Sequence, residues 1–139
     1  MISLSDLDAV KASDEAFEFE YPNTDGTPSG VKFKVLGGQS EKVTAEVARL
    51  INDRRRKEAA RANQTRMNPN KALEFEPMEN DVEFGNRLAA VRLVGWSGIS
   101  DIFSPELALK LCKSNKDIAL LITQQSDSMA NFTKLKSAN

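Results

Sequence analysis

Phe17-Glu18-Phe19-Glu20-Tyr21 and Val31-Lys32-Phe33-Lys34-Val35 decide the fold class of this chain. In each, apolar and charged residues alternate with the period of two expected of a half-buried strand. The segment between them, Pro22 to Gly30, carries Asn23, Asp25, Gly26 and Pro28, residues that suit a reversal of direction. An antiparallel hairpin places the aromatic residues on one face and sets glutamates opposite lysines on the other. Pattern and charge therefore specify the same pairing. A two-stranded hairpin is marginal alone, so its apolar face requires a helix or a neighbouring subunit as cover.

Working outward, Gly37-Gly38 ends the second strand, and Ser40 has the character of an N-cap with Glu41 in the first turn. Val43, Val47, Leu50 and Ile51 then follow at amphipathic helical spacing. Continuing that face reaches Arg54, Glu58 and Arg61, so a helix running to about Arg66 becomes polar all round. Such a stretch projects into solvent or onto a partner. Pro69 ends it, and residues 68–80 read as a linker. A further helix is expected from Asn80 or Asp81, with Phe84, Leu88, Val91, Val94 and Gly95 on one face, broken at Trp96.

Ser104-Pro105-Glu106 is a helix start, with Ser as N-cap and Pro in the first turn. A last helix from Ser114 or Asn115 carries Ile118, Leu121, Ile122, Gln125, Met129 and Phe132, and the residues from Lys134 onward are expected to fray. At the other end, residues 3–11 form a short helix with Leu4, Leu7 and Val10 on one face. The expected fold is α+β. It comprises an N-terminal β-hairpin with a long basic helix (1–67), a linker (68–80) and a C-terminal three-helix unit (81–139).

Of the 139 residues, 40% are hydrophobic and 28% charged, enough for a core in one small domain. No apolar run reaches membrane-spanning length, and the acidic N-terminal stretch lacks the layout of a secretion signal. The lone Cys112 forms no intrachain disulfide, which favours an intracellular location. There is no histidine, which removes the commonest general base and the commonest transition-metal ligand. A thiolate at Cys112 would lack a histidine to activate it. Gly37-Gly38 is followed by no Walker lysine, and the carboxylates at Glu18, Glu20, Glu74, Glu76, Glu79, Asp81 and Glu83 form no calcium loop. No catalytic, cofactor-binding or metal-binding residue is assigned, and the expected activity is binding, not catalysis.

Net charge is −1, but the charge is segregated. Residues 1–30 hold seven acids and one base, whereas residues 49–66 hold seven bases and two acids. Arg54, Arg55 and Arg56 at the centre of the basic block could neutralise nucleic-acid phosphates. No aromatic residue interleaves with them for base stacking, and no nucleic-acid-reading motif is present. A solvated face or a protein contact is favoured, including an acidic segment of a neighbouring copy. Trp96 either caps the core where the chain turns or anchors a partner.

The stretch Val91-Arg92-Leu93-Val94-Gly95-Trp96-Ser97-Gly98-Ile99, followed by Phe103-Ser104-Pro105-Glu106, resembles phage tail assembly chaperones. In that pattern a helix ends in a Gly-Trp-x-Gly element, Phe-Ser-Pro-Glu opens the next, and a later helix closes on an Asn-Phe pair, here Asn131-Phe132. The Thr27-Pro28-Ser29-Gly30 turn, the strand after it and the arginine-rich helix are also similar. Leu107-Ala108 departs from the acidic or Asn-Ala continuation common in the family, which bears on the subfamily.

The resemblance implies a non-catalytic protein of the host cell cytoplasm. Its partners would be the helical tape measure protein and the tail tube protein, and it would leave before the particle is complete. The implied partner surface comprises Val94, Trp96, Ile99 and Phe103, with Arg54, Arg55 and Arg56 available for self-association. The alternatives are a structural component of the virion, such as a tail completion or minor capsid protein, and a nucleic-acid-binding regulator.

Overall fold

Both strand patterns of the opening stretch are strands in the computed structural model, which describes residues 1–68 and 78–133. Strand β1 (Phe17–Pro22) pairs antiparallel with β2 (Pro28–Val35), in a register that sets Glu18 opposite Lys34 and Glu20 opposite Lys32. Phe33 and Val35 are fully buried, and Phe17, Phe19, Tyr21 and Val31 join them on the same face. The charged face is solvated. Its ion pair runs diagonally, Lys32 Nζ to Glu18 Oε1 at 4.0 Å, and an exposed pair of this kind adds little stability.

The sheet has a third member. Leu93–Ser97 is strand β3, antiparallel to β2, so β2 is central and the order is β1-β2-β3. This corrects the expectation that Val91, Val94 and Gly95 continue a helical face. The preceding helix stops at Ala90. A register shift between Lys34 and Val35 explains why period two was hidden in β3. Leu93 lies opposite Val35 and Trp96 opposite Phe33, both on the core face yet three residues apart. A spacing of three mimics a helix.

The helices follow their caps. Helix α1 (Ala9–Ser13) comes after a 3-10 turn at Leu4–Leu7, and Leu4, Leu7 and Val10 are exposed. Helix α2 (Glu41–Met67) starts where the Ser40 hydroxyl accepts the Val43 N–H at 3.0 Å. Helix α3 runs Met78–Ala90, three residues earlier than Asp81. The Ser104 hydroxyl caps α4 (Pro105–Ser114), and the Asn115 side chain caps α5 (Lys116–Asp127). At Ser128 the helix gives way to a 3-10 turn, Met129–Asn131. There the Asn131 amide donates to the Gln125 carbonyl at 2.9 Å. Phe132 is thereby turned inward, edge-on to Phe17 with ring centroids 6.0 Å apart. The linker expectation falls mostly on residues 69–77, and the fraying expectation on 134–139, both outside the described residues.

One core results. The apolar sheet face is covered by Ala89, Ala90, Ala108, Cys112, Ile118, Ala119, Ile122 and Phe132, from α3, α4, α5 and the closing turn. Helix α2 stands to the side and buries only Val43 and Leu50.

A single corner ties these layers together. The N–H groups of Leu36, Gly37 and Gly38 donate to the carbonyls of Arg92, Ser13 and Ser126, each at 2.9 Å. The Ser126 hydroxyl returns a bond to the Leu36 carbonyl at 2.7 Å. A Cβ on Gly37 would overlap the Ser13 hydroxyl and approach the Ser13 Cα to 3.0 Å. Gly85 in α3 has open space around it. Gly37→Ala therefore costs roughly 1–3 kcal/mol from overpacking, whereas Gly85→Ala gains roughly 0.5–1 kcal/mol of helix propensity. Urea midpoints moving in opposite directions check the pair.

Candidate interaction surfaces

The basic half of α2 does not simply enter solvent. Its face of Leu50, Arg54 and Arg61 turns toward α3. The Arg54 guanidinium lies over the Phe84 ring, 4.7 Å from its centroid, and pairs with Asp81. Arg54 also reaches Glu58 at 3.8 Å. A guanidinium on an aromatic face is held by the ring quadrupole as well as by its carboxylate. Arg55 and Arg56 point away and are exposed, with Arg56 3.2 Å from Asp53.

Between α2 and α3 lies a cleft of about 240 Å³. Among the described residues, Leu50 and Phe84 supply its apolar walls, and Arg49, Arg54, Lys57, Arg61 and Arg87 line it with the carboxylates Asp53 and Glu83. Glu83 is held ionised below the usual carboxylate range by hydrogen bonds from Arg87 and Lys113. A second hollow of about 220 Å³ shares Arg49, Leu50 and Arg87, and continues toward α4 past Ala90, Val91, Pro105 and Leu109. The two form one groove.

The other expected surface is a separate cluster. Trp96 and Phe103 meet edge to face with centroids 5.0 Å apart, and the indole N–H donates to the Asp101 carbonyl at 2.8 Å. Trp96, Ile99 and Phe103 are half-buried against the core, and Val94 is half-buried in β3. These side chains thus cap the edge of the core while leaving part of their surface outside. Ile102, in the loop between them, is 88% exposed. Sequence reasoning passed over it because one apolar residue in a loop carries no periodic signal. The α3 wall of the groove was also missed as a site, although Asn80, Glu83, Phe84 and Arg87 recur at i, i+3, i+4 and i+7.

Comparison with known proteins returns nothing. No family model, curated protein or solved structure matches the chain.

The Gly37 and Gly38 N–H groups are spent on carbonyls, so this turn does not present them to a phosphate. Among the described residues, no three acidic or cysteine side chains gather as a metal site, and no helix is long and apolar enough to cross a membrane. Cys112 is fully buried, and burial pushes its thiol from 9.0 up to about 11.

The unfolded chain releases the Cys112 proton at lower pH than the folded chain. The associated stability is complete below about pH 9 and is lost as pH rises through 11. Between these limits the urea midpoint of the wild type falls more steeply than that of Cys112→Ala. A thiol reagent labels Cys112 only under denaturing conditions.

Proposed function

We propose that this chain is a phage tail assembly chaperone, which binds the tape measure protein and assists tail tube assembly without catalysis. The reading rests on the resemblance carried by residues 91–106 and 131–132. The observation that supports it most is the exposure of Ile102 beside Ile99, Phe103 and Trp96, inside the stretch that carries the resemblance. An exposed aliphatic residue next in sequence to half-buried apolar ones suits the masking of apolar helix faces on a client. A tape measure protein offers such faces before the tube encloses it. The location in keeping with this role is the host cell cytoplasm, and the virion for the structural alternative.

Co-expression with a tape measure protein from the same phage tests the reading. The expected outcome is a soluble complex containing both chains. Ile102→Asp lies outside the core, so it leaves the urea midpoint unchanged while weakening the complex by about tenfold or more, the scale of a hot-spot loss. Trp96→Ala weakens the complex too, but lowers stability as well. A tape measure protein whose solubility is indifferent to this chain rules the reading out. Stoichiometric retention in purified particles would instead indicate a structural component of the virion.

A further inference from the structure

Past Leu50, helix α2 buries no side chain: every residue from Ile51 to Met67 is exposed or half-buried. At about 100° per residue this distal half has two sides. Arg54, Lys57 and Arg61 line the cleft with α3. From Asn52 onward, an arc of about 100° on the other side carries Asn52, Arg55, Arg56, Ala59, Asn63 and Arg66. All six are exposed, and none lines the cleft. The acids of the distal half, Asp53 and Glu58, fall outside the arc. Asp53 pairs with Arg49 and Arg56, and Glu58 with Arg54. Among the described residues, no carboxylate pairs with Arg55 or Arg66, and no hydrogen bond occupies the side-chain amides of Asn52 and Asn63.

The chemistry of this arc selects its partner. Its largest apolar side chain is alanine, whereas a protein interface is anchored by aromatic residues or Met and is depleted of charge at its centre. Arginine forks match phosphate oxygens, and asparagine amides hydrogen-bond base edges. Ala59, in the middle of the arc, lets the helix backbone approach closely. From Asn52 to Arg66 the arc runs roughly 21 Å. A helix about 10–12 Å across fits the major groove of B-form DNA, about 12 Å wide, and not the narrow major groove of A-form RNA. We infer that the distal half of α2 docks in the major groove of duplex DNA. Arg55 and Arg56, at the two edges of the arc, reach phosphates on the two strands, and Arg66 reaches a third. Asn52 and Asn63, between those edges, face the bases.

The net charge of −1 does not oppose this docking. The N-terminal acids precede α2, and the Gly37 N–H bond to the Ser13 carbonyl holds the end of α1 beside the start of that helix. Arg55 and Arg66 stand roughly 22 and 39 Å along the helix from Ser40. Each distance exceeds two screening lengths of about 8 Å at physiological salt. The aromatic side chains missing from the arginine segment serve the stacking of single strands, and a duplex groove needs none. The inference uses no residue of the surface around Ile102, so it stands or falls apart from the client reading.

Fluorescence anisotropy of a labelled DNA duplex of about 20 base pairs, titrated with the full-length protein at about 50 and 200 mM salt, tests the proposal. The expected result is saturable binding at the lower salt. It weakens by roughly tenfold to 40-fold at the higher, the response for two or three neutralised phosphates. Arg55→Gln with Arg66→Gln loses about tenfold at the lower salt and flattens the salt dependence. Its urea midpoint is unchanged, because both side chains are exposed. Lys42→Gln with Lys116→Gln removes the same charge from exposed positions off the arc and stays within about twofold of the wild type. An RNA duplex of the same sequence binds at least about fivefold more weakly. The proposal is overturned by a protein that binds no DNA, by an arginine pair variant that binds like the wild type, or by a lysine pair variant that loses as much. RNA bound as tightly as DNA overturns it too. So does displacement of the duplex by polyglutamate at equal charge concentration, which would assign the face to an acidic protein.

Discussion

The N–H groups of Leu36, Gly37 and Gly38 donate to carbonyls at the start of β3, the end of α1 and the end of α5. Three backbone donors on consecutive residues thus bind three segments that lie far apart in sequence. The three buried polar residues in the described structure, Ser13, Ser40 and Ser126, all sit here. Ser40 starts α2, Ser126 returns a bond to Leu36, and Ser13 approaches Gly37 closely enough to forbid a Cβ. Buried backbone groups must be paired, so the corner fixes where every neighbouring element enters. Asp127 reinforces it, pairing with Arg92 at 3.3 Å and lying 2.5 Å from where a Cβ on Gly38 would be.

This constraint explains the division of labour among the helices. Helices α3, α4 and α5 cover the apolar sheet face and form the core with it. Helix α2 leaves the corner with two buried residues and then depends on α3 through charge: Arg54 on Asp81 and over Phe84. Contacts of this kind are weaker per area than apolar burial and are screened by salt. They leave a groove where a core helix would leave none.

The Trp96 region combines structure and exposure differently. Trp96 and Phe103 pack edge to face against the core, and Ile102 in the adjoining loop is exposed. The Asn131-Phe132 pair, part of the resemblance to tail assembly chaperones, also has a physical role. Asn131 closes the last turn on Gln125, and Phe132 enters the core beside Phe17. The motif residues thus shape the edge of the fold.

The residue pattern by itself determined the hairpin, its register of glutamate against lysine, the side-chain caps at Ser40 and Ser104, and the α+β class. These depend on neighbours in sequence or on a two-residue alternation, so local chemistry suffices. Arg54 and Arg61 could also be placed on the continuation of the Val43–Leu50 face, though not what that face meets. Only the tertiary structure decided that Leu93–Ser97 is a strand, because the register shift beside Lys34 puts Leu93 and Trp96 three apart on one face. It also decided that Arg54 meets α3 while Arg55 and Arg56 stay exposed, and that the two glycines serve a packed corner. Each of these depends on a partner distant in sequence, and a one-dimensional pattern carries no information about which distant surface supplies the missing contacts.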